Sequence, residues 1–341
     1  MVRRRMLQPL HPDMRQRLDP RYVEIHDRDL QYRPMRVFHP WQPGFRDQPS
    51  PLARYDGPRY PTTTLDIGIE GACNIRAYRS PGVTGFVPAI VWCAGSGMVL
   101  GDINSDASII SRLCHDLRCC VINVGYRRAP EHPYPTPFED VFTVYEWIYN
   151  NQGWLGVNGT ICLGGTSAGA SLALSTLLAR ADMGLPLPGA LIMVAPAQLD
   201  NTLTTKNFCE WRHMRHAPWA GAESALSFRQ LYLPEGPNPP NWLQNPMIVP
   251  DKVLSSVKLP PTFCLTMECD LFQGEADLFC ERLYENDQYV RKIAFPGLPH
   301  MALSMGQVFP EVYDKLRFIF QEIIDLDMKI FSGQSWPPQQ K

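Results

Sequence analysis

The sequence predicts an α/β fold: a mostly parallel central sheet of about eight strands flanked by helices, with a cap built from the N-terminal segment and an insertion. Three observations carry this expectation. From about residue 62 onward, short continuous apolar runs alternate with longer stretches of helical character, the pattern of strands covered on both faces and joined by helical crossovers. The 33 prolines are about twice the ordinary share, which requires many turns and argues against a helical bundle. With 45% hydrophobic and 19% charged residues among 341, the chain holds enough apolar material for a large core, which excludes a disordered polymer.

In chain order, residues 1–60 stand apart, with twelve arginines, no lysine, seven acidic residues and nine prolines. The interleaved Tyr22, Tyr32, Phe38, Trp41 and Phe45 need burial, so an arginine-laced cap is preferred over a free basic arm. TTTLDIGIEG and NIRAYRSP alternate as a hairpin pair. AIVWCAG, CCVINVGYR, TICLGG, ALIMVAPAQL, TFCLTMEC and VRKIAFPG then read as buried strands. Between and after them, DASIISRLCHDL, FEDVFTVYEWIYNN, ASLALSTLLARADM, EADLFCERLYEND and PEVYDKLRFIFQEIIDLD read as helices. The expected division is a cap segment at 1–60, core at 61–199, a proline- and tryptophan-bearing cap insertion at 200–258, core again at 259–332 and a polar tail at 333–341.

Thirty-two basic against 34 acidic residues leave a net charge of −2, so nothing draws the whole chain toward nucleic acid. The first twenty residues lack an apolar stretch of signal-peptide type, and Asp13 and Asp19 disfavour a mitochondrial presequence. No apolar run reaches the roughly 18 residues of a membrane span, so the expectation is a soluble cytoplasmic protein without stable membrane insertion. Ten cysteines in a chain of this length, many on expected strands, read as buried reduced thiols. GGTSAG lacks the lysine of a phosphate-binding loop, no dinucleotide fingerprint accompanies it, and neither cofactor nor metal is expected.

The chemistry is expected at GTSAG, 165–169, which follows a strand and opens an apolar helix, the context of a nucleophile elbow. Flanking glycines permit a sharp turn that projects Ser167, and the helix N-terminus behind it favours developing negative charge. A serine hydroxyl needs a base, and that base an orienting acid, each expected at the carboxyl end of a later strand. Of the three histidines after Ser167, His213 and His216 fall in the insertion, whereas His300 follows VRKIAFPG. Asp270 closes TFCLTMEC and is the expected acid, with Glu268 and Glu275 as alternatives.

These motifs resemble the hormone-sensitive-lipase branch of the α/β-hydrolase fold, which includes many microbial and fungal carboxylesterases. AGSGMVLGD (94–102) stands where that family has HGGGxxxGD, GYRRAPEHPYPTPFEDV where it has DYRLAPEHPFPAALDDV, and GTSAGASLA where it has GDSAGGNLA. CDLFQGEADLFCERL and FPGLPH extend the likeness, which covers roughly residues 85–325. The resemblance implies a triad of Ser167, Asp270 and His300, and an oxyanion hole from the backbone N–H groups of Gly95, Ser96, Gly97 and Ala168. The sequence departs from the pattern at Ala94, Ser96, Thr166, Met301 and Ala302, and a serine at 96 would be strained if that position needs positive φ.

The resemblance and the strand-end placements together lead to the expectation of a serine carboxylic-ester hydrolase acting on a small to medium apolar ester or lactone, in specialised metabolism. Phe208, Trp211, Trp219, Phe228, Tyr232 and Trp242 are candidates for its pocket. The expected partner is that small molecule, and a homodimer is compatible with the sequence. The altered oxyanion loop motivates a second reading, a non-hydrolytic enzyme catalysing cyclisation, elimination or acyl transfer in biosynthesis. A third is a binding protein without turnover, like the plant hormone receptors similar to this family, but those lack the histidine that His300 supplies here.

Overall fold

A computed structural model describes residues 5–33, 40–46, 48, 50–198, 209–219, 221–234 and 241–330. Phe38, Phe208 and the polar tail at 333–341 therefore lie outside the described residues. Eight strands form one sheet: β1 (Thr63–Gly68), β2 (Asn74–Arg79), β3 (Val87–Cys93), β4 (Cys120–Gly125), β5 (Val157–Thr166), β6 (Ala190–Val194), β7 (Thr262–Cys269) and β8 (Val290–Pro299). Their spatial order is β1-β2-β4-β3-β5-β6-β7-β8. The hairpin β1/β2 and the β2/β4 pair are antiparallel, while every pairing from β4 through β8 is parallel.

The helices are α1 (Pro12–Arg17), α2 (Pro20–Arg28), α3 (Ala107–Leu117), α4 (Thr136–Asn150), α5 (Gln152–Leu155), α6 (Ala168–Asp182), α7 (Cys209–His213), α8 (Ala222–Tyr232), α9 (Asp251–Ser256), α10 (Gln273–Glu285) and α11 (Pro310–Ile330). Two hydrophobic layers bury the sheet. Ile90, Trp92, Val121 and Phe263 pack with α3 and α11 on one face, and Val91, Ile122, Leu163 and Cys264 with α4, α6 and α10 on the other. Strands buried on both sides explain why β3, β4 and β6 read as unbroken apolar runs rather than alternating ones. The nine cysteines whose burial is described are free and buried, and desolvation pushes the thiols of Cys73, Cys114 and Cys269 up to about 12.

The N-terminal segment is docked rather than free. Met14, Leu18, Tyr22, Ile25 and Leu30 enter the same apolar layer as α11. The arginines find specific partners: Arg21 pairs with Asp19 and Glu311, and Arg46 donates to Val99 O, Ala129 O and Glu131. Arg15 likewise pairs with Asp27, and Arg33 and Arg54 with Asp29, carboxylates of the same segment. Among the described residues no helix is long and apolar enough to cross a membrane.

Candidate active site

The carboxyl ends of β5, β7 and β8 converge on one place. Immediately after β5, Ser167 holds φ 52° and ψ −127°, a conformation that L-residues rarely adopt and that the surrounding packing must impose. The glycines flanking it are required by closeness rather than by φ. A Cβ at Gly165 would lie 2.3 Å from Cys93 O, and one at Gly169 2.1 Å from the same oxygen, far inside contact distance. Strand β3 can therefore run against the elbow only because neither position carries a side chain. Ser167 N–H donates to Val194 O at 2.9 Å, which ties the turn to β6.

The other two groups meet through strand register. A shift between Met267 and Cys269 brings Cys269 opposite Pro299, so the next residue of each strand, Asp270 and His300, are neighbours. Asp270 Oδ2 lies 2.6 Å from His300 Nδ1, and His300 Nε2 lies 2.8 Å from Ser167 Oγ. Both are nearly inaccessible, Asp270 at 1% and His300 at 6% exposure. Phe272 covers the imidazole with ring centroids 5.6 Å apart. Of the alternative acids, Glu268 instead accepts from Gly297 N–H, and Glu275 is buried on α10.

The loop expected to form the oxyanion hole departs from that expectation at one residue. Gly95 N–H does not face the serine, because it donates to Thr166 Oγ1 at 2.7 Å. Ser96 N–H and Gly97 N–H make no hydrogen bond among the described residues, and Ala168 N–H sits at the first position of α6, where a helix has no partner for it. The serine at 96 is not strained through φ: the left-handed residues are Gly97 (φ 59°) and Met98 (φ 63°). Its hydroxyl is satisfied by Tyr126 OH at 2.7 Å, which also donates to Ala94 O. Sequence reasoning missed Tyr126, and it missed Asp106, whose carboxyl accepts from Trp92 Nε1 (3.0 Å) and Thr166 Oγ1 (2.7 Å). Desolvation pushes the Asp106 pKa up, against these two hydrogen bonds and a weaker one from the Gly95 backbone. An acid ahead of an apolar helix reads from sequence as a cap, yet this one makes no capping bond.

A cavity of about 470 Å³ opens over the serine. Trp219, Ala225, Phe228, Phe272 and Leu303 give it an apolar side, while Asp56, Arg59, Asn104 and Ser108 give it a polar one. Two of the expected pocket aromatics, Trp219 and Phe228, line it. Trp211 does not: α7 turns this ring against the apolar core. Trp242 packs on the opposite layer and Tyr232 is fully buried in it, so neither lines the cavity. Among the described residues no group of three His, Cys, Asp or Glu side chains is arranged to hold a metal ion.

Comparison with known proteins agrees with this architecture. The family model described as the alpha/beta hydrolase fold matches residues 90–304. An AB hydrolase superfamily protein of Schizosaccharomyces pombe is 28% identical over 321 residues, spanning 88% of this chain and 91% of that protein. The carboxylesterase NlhH of Mycobacterium tuberculosis is 27% identical over 248 residues, 72% of this chain and 76% of its own. Among solved structures, carboxyl esterase 2 of Tuber melanosporum superposes with a TM-score of 0.76 at 21% identity, covering 90% of this chain and 99% of the other. A thermostable esterase from Pseudomonas putida gives 0.80 at 18% identity, over 90% and 97%. The sheet order, the elbow between β5 and α6, and a family match across well over half the sequence lead to one conclusion: the chain belongs to the α/β-hydrolase-fold family.

Proposed function

We propose that this protein is a serine carboxylic-ester hydrolase whose catalytic triad is Ser167, His300 and Asp270. The observation that carries the reading is the chain of short contacts from Asp270 Oδ2 to His300 Nδ1 (2.6 Å) and from His300 Nε2 to Ser167 Oγ (2.8 Å). Esterase and carboxylesterase relatives support the reaction class. His300 Nε2 takes the Ser167 proton as Oγ attacks the ester carbonyl, and Asp270 holds the imidazole in the tautomer that leaves Nε2 free to accept. The tetrahedral oxyanion is held by the N–H groups of Ser96, Gly97 and Ala168. Collapse expels the alcohol, which receives its proton from the His300 imidazolium. Water, deprotonated by His300, then cleaves the acyl-enzyme and returns the carboxylic acid.

A cavity of about 470 Å³ with an apolar side suits a small to medium ester or lactone. The test is steady-state hydrolysis of p-nitrophenyl acetate and butyrate by wild type and Ser167→Ala. Wild type is expected to turn over, and the variant to lose at least about 10³-fold in kcat. Equal activity in the two would refute the assignment. Against a non-hydrolytic reading of the altered loop, Ser96 sits there without φ strain and two loop N–H groups face no protein acceptor among the described residues.

A further inference from the structure

We infer that Asp106, acting through the Thr166 hydroxyl, is a positioning residue that aims the oxyanion loop. The inference rests on the proposed triad and concerns what holds its oxyanion hole in shape. Three contacts form one chain: Asp106 Oδ2 accepts from Thr166 Oγ1 at 2.7 Å, Thr166 Oγ1 accepts from Gly95 N–H at 2.7 Å, and Trp92 Nε1 holds the same Asp106 oxygen at 3.0 Å. Thr166 has a single hydroxyl hydrogen. With it committed to Asp106, a Thr166 lone pair accepts from Gly95 N–H, so the two contacts hold the hydroxyl in one orientation. Trp92 is fully buried on β3 and keeps the carboxyl from rotating away.

The consequence is geometric. Thr166 is the residue before Ser167, so the bond fastens the loop to the elbow itself. A Cβ at Gly95 would lie 2.9 Å from Thr166 Oγ1 and 3.2 Å from Ser167 Cβ, so the loop approaches as closely as a glycine allows. With Gly95 N–H spent on Thr166, the next two amides, Ser96 and Gly97, are the ones left to face an oxyanion above Ser167. The backbone of Asp106 fits the same role: it stands at φ 58° at the head of α3, and its side chain makes no capping bond there. A carboxylate that leaves its own helix uncapped and reaches a residue 60 positions away is placed for that contact. Asp106 touches no reacting atom and is not a catalytic residue.

The experiment compares wild type, Thr166→Val, Thr166→Ser, Asp106→Ala and the Asp106→Ala/Thr166→Val double variant. Each is measured for kcat and KM on p-nitrophenyl butyrate, inhibition by phenylboronic acid, and Tm. Boronate reports the tetrahedral state directly, because its adduct with serine carries an oxyanion-like oxygen. Thr166→Val is expected to lower kcat ~10- to 100-fold, less than outright loss of a donor, with KM within about twofold. Boronate affinity is expected to fall in parallel, Thr166→Ser to restore most of both, and the double variant to be little worse than either single because one chain is broken twice. Thr166→Val keeps the shape of the strand residue and remains readable should Asp106→Ala fail to fold. Any of three results would overturn the inference: kcat of Thr166→Val within twofold of wild type, a loss confined to KM with boronate affinity intact, or losses that multiply in the double variant. If Ser167→Ala is inactive while Thr166→Val is unaffected, this inference fails and the triad reading stands. A wild type that does not hydrolyse the ester refutes the triad reading instead.

Discussion

The clearest physical statement at the scale of single residues is that the two glycines of GTSAG are demanded by the neighbouring strand. Gly169→Ala would place a methyl 2.1 Å from Cys93 O, and backbone cannot yield as a flexible side chain does. We expect this variant to lose about 3 kcal/mol or more in urea denaturation. Gly184→Ala, with φ 65° and nothing within 4 Å, is expected to cost only about 1 kcal/mol. Similar losses in both would remove the close-approach argument. The proposed triad was legible at this scale because Ser167, Asp270 and His300 each follow the end of a strand in the order the proposed chemistry needs. Asp106 was not, because its partner Thr166 is 60 residues away and no local pattern announces a carboxyl that serves another strand's hydroxyl. Gly95 was misread for a related reason: sequence identifies a glycine loop but not which amide a neighbouring hydroxyl captures.

Under the proposed function, selectivity and part of a pH response are expected to arise at the scale of elements. Helix α8 lays Phe228 against the loop at Gly97, so closely that a Cβ there would lie 2.9 Å from the ring. Phe228→Ala is expected to raise the kcat/KM ratio of octanoyl over acetyl ester roughly five- to tenfold. An unchanged ratio would mean that the ring does not bound the acyl site. Helix α2 buries His26, and desolvation lowers its pKa from the usual 6.5. The unfolded chain therefore binds a proton there more readily than the folded one. Its contribution to stability is intact above the ordinary histidine range, begins to fall as pH drops through about 6.5, and is fully lost below the folded pKa. The urea midpoint should decrease between pH 7.5 and 5.5, and His26→Gln should flatten that decrease; a slope unaltered by the substitution would contradict the assignment. Strand and helix identities followed from apolar periodicity, but their ends moved. β8 runs on through Pro296 to Pro299, which an edge strand tolerates because one side of its ladder has no partner to lose. The insertion of β4 between β2 and β3 is a long-range pairing that local pattern does not encode.

For the molecule as a whole, residues from the proline-rich N-terminal segment and from the insertion both reach the cavity over Ser167. The first 60 residues supply Leu52, Asp56 and Arg59 to the cavity, and the 200–258 insertion supplies Trp219 and Phe228. The described cysteines sit in the body as small apolar groups. In native protein at pH 8, the nine thiols described as buried should resist iodoacetamide for hours and react within minutes in urea. Rapid native labelling of any of them, read by peptide mass spectrometry, would show the packing to be wrong. The central proposal is that catalysis turns on Ser167, activated in a strained elbow. Its most direct test is intact-protein mass spectrometry after exposure to a fluorophosphonate, with the adduct mapped by proteolysis. The prediction is one stoichiometric adduct on Ser167, lost in Ser167→Ala and slowed at least about 100-fold in His300→Ala. No adduct, or an adduct on another residue, would contradict it.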